Sequence, residues 1–185
     1  MERKRNTMAR EIRWHIGRFV PIERIREFES RWNIKFPEAY VNIITQHDGA
    51  LAKVKNDNNE WETGEIEIPR WHGKRSVLAL LRYMNTDTVE RTAIFAAYYS
   101  FKECLPAPDK IFPFADNGGG DMFFFDYRQN ESEPAIVFLA HEEVVLEDEI
   151  AEEDLAKKTA IEWMDDSLYR VCNSFSELLD LIKLP

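Results

Sequence analysis

The stretch KIFPFADNGGGDMFFFDYR, residues 110–128, followed closely by PAIVFLA, residues 134–140, limits what this chain can fold into more than any other. Short apolar runs bounded by turn signals read as buried strands. A glycine turn separates the first apolar piece from the strand MFFFDYR, and Gln129 to Ser132 form a second turn before PAIVFLA. Two such strands joined by a few polar residues predict an antiparallel hairpin. Phe112, Phe114, Phe123, Phe124 and Phe125 alternate across the first strand pair. Aromatic platforms stack single-stranded nucleic acid in some folds, but these rings are interleaved with acidic residues, so they are assigned to the core. Phe114, Phe124, Val137, Phe138, Leu139, Ile43 and Phe175 are expected to share that core.

Helical signals flank this centre. Ile22, Ile25, Phe28 and Trp32 follow the spacing of an amphipathic helix. A second helix follows: Pro37 suits its first turn, Tyr40, Ile43, Ile44 and His47 line one face, and Gly49 suits the C′ position. Ile12, Ile16 and Phe19 predict a further basic helix ahead of Pro21. Residues 51–65 are polar and predict a hairpin or loop, while Ile66 and Ile68 alternate with Glu65 and Glu67 as in a half-buried strand. Val77 to Met84 is a buried strand or a short helix, since periodicity does not separate the two. Asp87 and Glu90 have capping-box spacing for a helix carrying Val89, Ile94, Phe95, Tyr98 and Phe101, which Pro106 and Pro108 would end. Ser174 and Glu177 repeat that spacing before Leu178, Leu179 and Ile182. Strands in the middle and helices at both ends predict an α+β fold, a mostly antiparallel sheet flanked by N- and C-terminal helices. No repeat or linker divides the 185 residues, so a basic extension (1–20) and one domain (21–185) are expected.

The net charge of −10 is unevenly placed. Residues 1–35 hold ten Lys/Arg against five Asp/Glu, whereas residues 141–166 hold eleven Asp/Glu against two Lys. Phosphate neutralisation needs Lys and Arg, so this balance argues against direct nucleic-acid binding. It favours basic partners, which an acidic surface steers. Ile150, Leu155 and Ile161 are the apolar positions available to anchor a helix in the acidic elaboration, about 142–166. No apolar run approaches the roughly 20 residues of a membrane span, so no membrane partner is expected. The first residues lack the apolar core of a secretory signal, and Cys104 and Cys172 have no ligand-like spacing. Reduced structural thiols and a cytoplasmic location are the expectation.

Few residues promise chemistry. In DNGGGD (Asp116 to Asp121) the glycines permit φ > 0 turns, but two carboxylates would repel a phosphate and no Lys-Ser/Thr pair follows. Asp116, Asp121 and Asp126 do not match the calcium-loop spacing. A tight turn whose carboxylates accept backbone N–H groups is expected instead, with Gly119 the test position for φ > 0. His15, His47, His72 and His141 are scattered, no serine sits in a nucleophile elbow, and neither cysteine has a base nearby in sequence. No catalytic residue, cofactor or metal ligand is assigned.

Three blocks together carry a resemblance: FPEAYVNIITQHDGA (Phe36 to Ala50), PFADNGGGDMFFFDYR (Pro113 to Arg128) and VCNSFSELLDLI (Val171 to Ile182). In order and spacing the chain resembles the SUKH superfamily of Smi/Knr-like domains over roughly residues 22–183. It departs from the family pattern at Phe36, where Leu is usual, and at Asp48, where Asn is commoner. The resemblance implies a noncatalytic α+β protein-binding domain, in bacteria often an immunity protein that neutralises a cognate polymorphic toxin, many of these nucleases. The fungal relatives regulate through protein contacts, so a scaffold without a toxin is the alternative. A metal-dependent hydrolase using Asp116 and Asp121 is a third reading. Asp48, Asp116, Asp121, Glu147, Asp148, Glu149, Glu152, Glu153 and Asp154 are the candidate partner-binding residues, and the oligomeric state stays open.

Overall fold

A computed structural model describes residues 11–81 and 93–185. In chain order the elements are β1 (Ile12–His15), α1 (Ile22–Trp32), α2 (Glu38–His47), β2 (Leu51–Lys55), β3 (Trp61–Thr63), β4 (Glu65–Glu67), β5 (Arg75–Val77) and β6 (Ala79–Leu80). They continue with α3 (Ile94–Phe101), β7 (Ile111–Asp116), β8 (Met122–Asp126), β9 (Ala135–Leu139), α4 (Glu152–Leu155), α5 (Ala160–Asp166), β10 (Leu168–Cys172) and α6 (Phe175–Leu181). The main sheet runs β1-β2-β6-β7-β8-β9-β10 with antiparallel neighbours, and β3 also pairs with β2. The fold is α+β, as the element pattern predicts.

The Phe-rich hairpin is the middle of this sheet. Phe123 lies opposite Phe138 and Phe124 opposite Val137, and every residue of β8 and β9 is buried. Continuous apolar strands are unusual in antiparallel sheets and mean that both faces are covered. On one face Phe125 stacks on Phe114 at 4.1 Å between centroids and meets Tyr40, Phe36 and Phe175. On the other, Phe124 meets Phe101 at 5.8 Å. Phe114, Phe124, Val137, Phe138, Leu139 and Phe175 share one core, with Ile43 packed against it partly buried.

The first two helices form where their apolar spacing places them. Asn33 ends α1 at φ 52°, and its N–H returns to the Glu29 carbonyl. Pro37 caps α2 rather than opening its first turn, and Gly49 takes φ 76° just past the Asp48 cap. The polar stretch after α2 is the β2–β3 hairpin, whose turn is held by Asn56 Oδ1 accepting from the Asn58 and Glu60 N–H groups. In the run from Val77, Val77 ends β5, which pairs only with β4, and Ala79–Leu80 form β6 of the main sheet, while residues 82–84 and the Asp87/Glu90 spacing lie outside the described residues. Before α6, Ser174 accepts the Glu177 N–H at 3.1 Å, but the Glu177 carboxylate reaches the Asn173 N–H, so only half a capping box forms.

The basic helix expected around Ile12 does not form. Ile12 pairs with Val54 and Trp14 with Ala52, which makes this segment the outermost strand of the main sheet's path. Just past the strand, Gly17 lets the chain pass close to α2, since a Cβ there would lie 2.5 Å from His47 Cα. A short isolated helix is marginal on its own, whereas a neighbouring strand supplies ladder partners at once. Ile16 and Phe19, two positions of the expected helical face, are left 78% and 63% exposed.

Both thiols are free and buried. Burial pushes the Cys104 thiol up to about 11 and the Cys172 thiol up to about 12.

Candidate functional site

The acidic elaboration is the β9–β10 connection. It begins at a 3-10 turn, His141–Glu143, passes a second at Glu147–Glu149, and ends through α4 and α5. Its start is tied to the DNGGGD turn. Asp121 accepts the His141 backbone N–H at 3.0 Å, lies 2.7 Å from the His141 ring Nδ1, and accepts from Asn117 Nδ2 at 2.7 Å. Two residues on, Glu143 accepts from Trp71 Nε1 at 3.1 Å and from the Tyr169 hydroxyl at 2.5 Å. That bond to Glu143, together with burial, raises the Tyr169 pKa, because the phenolate would face the carboxylate.

The far end of the segment is clamped as well. Thr159 and Glu162 form a full capping box on α5, and Trp163 Nε1 donates to the Asp154 carbonyl at 3.2 Å. Arg128 donates to Asp126 at 2.8 Å and to Asp165 at 2.7 Å, which pins α5 to the end of β8. The bond to Asp126 leads the causes that raise the Arg128 pKa above its usual value. Met164 is buried, whereas the expected anchors Leu155 and Ile161 are 42% and 61% exposed. Ile161 and Met164 share one side of α5, i and i+3, but only Met164 reaches the body of the domain.

Between these clamps the carboxylates project outward. Glu147, Asp148, Glu149, Glu152 and Glu153 are exposed and make no ion pair among the described residues. Asp154 pairs with Lys157 at 2.8 Å, and Lys158 with Asp166.

The remaining candidates are placed differently. Asp48 is 2% exposed, and its backbone bridges Arg18 through the Asp48 N–H and carbonyl at 2.8 and 3.1 Å. Asp121 is 7% exposed and braces the turn. Both side chains are buried in this fold, and of the three single aspartates only Asp116 is partly accessible. Asp116 accepts the Gly118 N–H at 3.0 Å and Asn117 the Gly119 N–H at 2.8 Å, the turn geometry expected of this sequence. Among the described residues no group of three or more His, Cys, Asp or Glu is arranged to hold a metal ion. No helix among them is long and apolar enough to cross a membrane. The Arg128–Asp165 and Glu143–Trp71 ties join residues far apart in the chain and leave no local signal, whereas the Thr159/Glu162 box, equally unanticipated, does carry the local capping-box spacing that could have revealed it.

A model of the SMI1 / KNR4 family (SUKH-1) matches residues 20–181. The chain belongs to the SMI1/KNR4 family. No curated protein matches it significantly. The matched residues run from just before α1 to the end of α6, and the acidic connection lies within this SMI1/KNR4 domain.

Proposed function

We propose that the protein is a noncatalytic binding module, an immunity protein that neutralises a cognate basic toxin of nuclease type in the cytoplasm, with residues 142–166 as the contact surface. Domains of this family are often immunity proteins. One observation carries the reading: five exposed carboxylates, with no ion pair among the described residues, sit on a segment clamped at both ends. A nuclease presents a basic cleft to its substrate, and a fixed array of negative charge steers such a surface into encounter. Asp116, the last residue of β7 where the neighbouring turn begins, is included in the proposed contact.

Surface plasmon resonance against the product of the adjacent gene tests this. The association rate should fall as ionic strength rises from about 0.05 to about 0.15 M, where the Debye length shortens to about 8 Å. Replacing Glu147, Asp148, Glu149, Glu152, Glu153 and Asp154 with Gln or Ser should lower the on-rate more than it raises the off-rate. Salt-independent binding that survives the replacement overturns the assignment of this surface.

A further inference from the structure

A groove of about 440 Å³ opens between the turn that follows α3 and the first turn of α5. Leu105 and Met164, both buried, form its floor, and Pro106, Pro108 and Ile161 wall it. Ile161 is 61% exposed, yet the capping box at Thr159 holds its backbone in place. Burying an isoleucine side chain is favourable, so an apolar groove that keeps one exposed forgoes that gain in the isolated chain.

The rim defines the occupant. Glu103 and Glu147 line the groove, and Asp148 and Glu149 follow Glu147 on the same exposed turn. Lys102 also lines it, but its ammonium lies over the Tyr99 ring at 5.4 Å from the centroid. An apolar floor inside an acidic rim complements one large apolar side chain flanked by lysines or arginines. We propose that this groove receives such an anchor from a basic protein partner; the proposal rests on the reading of the acidic connection as the partner surface. The two features then divide the work. Exposed carboxylates act on encounter, while a desolvated apolar anchor at the centre of a contact acts on residence time.

The test uses two synthetic lysine-rich peptides of equal charge that differ only in a central Phe or Ser. Each is titrated into the full chain with isoleucine methyl groups labelled for NMR. The Phe peptide should bind roughly ten-fold tighter than the Ser peptide and shift the Ile161 methyl resonance. Ile161→Ser, a change at an exposed position, should bring the Phe peptide down to the affinity of the Ser peptide. Glu103→Gln with Glu147→Gln should weaken both peptides alike. Equal binding of the two peptides with an unmoved Ile161 methyl overturns the groove and leaves the acidic surface standing. If the Ser peptide does not bind either, the acidic surface falls with it.

Discussion

Gly118, Gly119 and Gly120 stand side by side and carry different constraints. Gly118 and Gly120 adopt φ 75° and 115°, whereas Gly119 stays outside the left-handed region. A Cβ on Gly120 would also lie 3.2 Å from the His141 ring, and one on Gly119 would meet only the Asn117 side chain at 3.3 Å. The test of left-handed backbone therefore belongs at Gly120, not at Gly119. Gly120→Ala should cost about 1–3 kcal/mol and Gly119→Ala less than about 1 kcal/mol, read from urea midpoints. Equal losses would show that the turn has no special conformation at Gly120. A second residue with a clear consequence is Glu29, 1% exposed, which accepts from Arg26 at 2.7 Å, Lys35 at 3.0 Å and the Phe36 N–H at 2.9 Å. Burial alone would raise its pKa, but the bonds from Arg26, Phe36 and Lys35 outweigh it and the net shift is downward. With the folded value depressed, the unfolded chain binds more protons, so the contribution is complete above the unfolded value of about 4.3 and is lost as pH falls further. Glu29→Gln should flatten the acid limb of a stability-versus-pH curve below about pH 4.3, and an unchanged slope would remove Glu29 as its source.

Elements in this chain are decided by what lies beside them. Phe124 meets Phe101 on one face of the sheet, while Phe138 sits between Phe123 at 5.0 Å and Trp71 at 4.8 Å on the other. Phe124→Ala and Phe138→Ala should each cost about 3–5 kcal/mol by denaturant titration, because both sites are fully enclosed and cannot collapse. A loss below about 1 kcal/mol at either would show that its face is not packed. The apolar runs of β7, β8 and β9 and the spacing of α1, α2 and α6 were legible because strand and helix periods act over a few residues. The strand β1 was not, since its four residues carry no preference strong enough to resist pairing with β2. At that edge Arg13 lies directly opposite Lys53, with Arg13 5.8 Å and Lys55 5.7 Å from the Trp61 ring centroid. Like charges directly opposite are unfavourable across a sheet, and the indole ring offsets part of that cost.

Across the whole molecule, charge is sorted along the sheet. The basic edge at β1–β2 and the acidic connection before β10 lie at opposite ends of the strand order, so the two do not neutralise one another within one chain. Composition and order alone determined the acidic balance, the location of that acidity between the strand PAIVFLA and the last helix, the antiparallel hairpin, the terminal helices and hence the α+β architecture of a SUKH-type domain. These follow from periodicity, turn chemistry and counting, which need no knowledge of distant neighbours. Tertiary structure alone decided which side chains face solvent. Asp48 and Asp121 share a residue type with Asp148, yet the first two are enclosed by contacts with residues 18 and 141. Ile161 and Met164 lie three apart on one short helix, yet β10 and the turn after α3 bury the second and leave the first open. Burial depends on which surfaces distant segments bring together, and a carboxylate or an isoleucine acts on a partner only where those segments leave it uncovered.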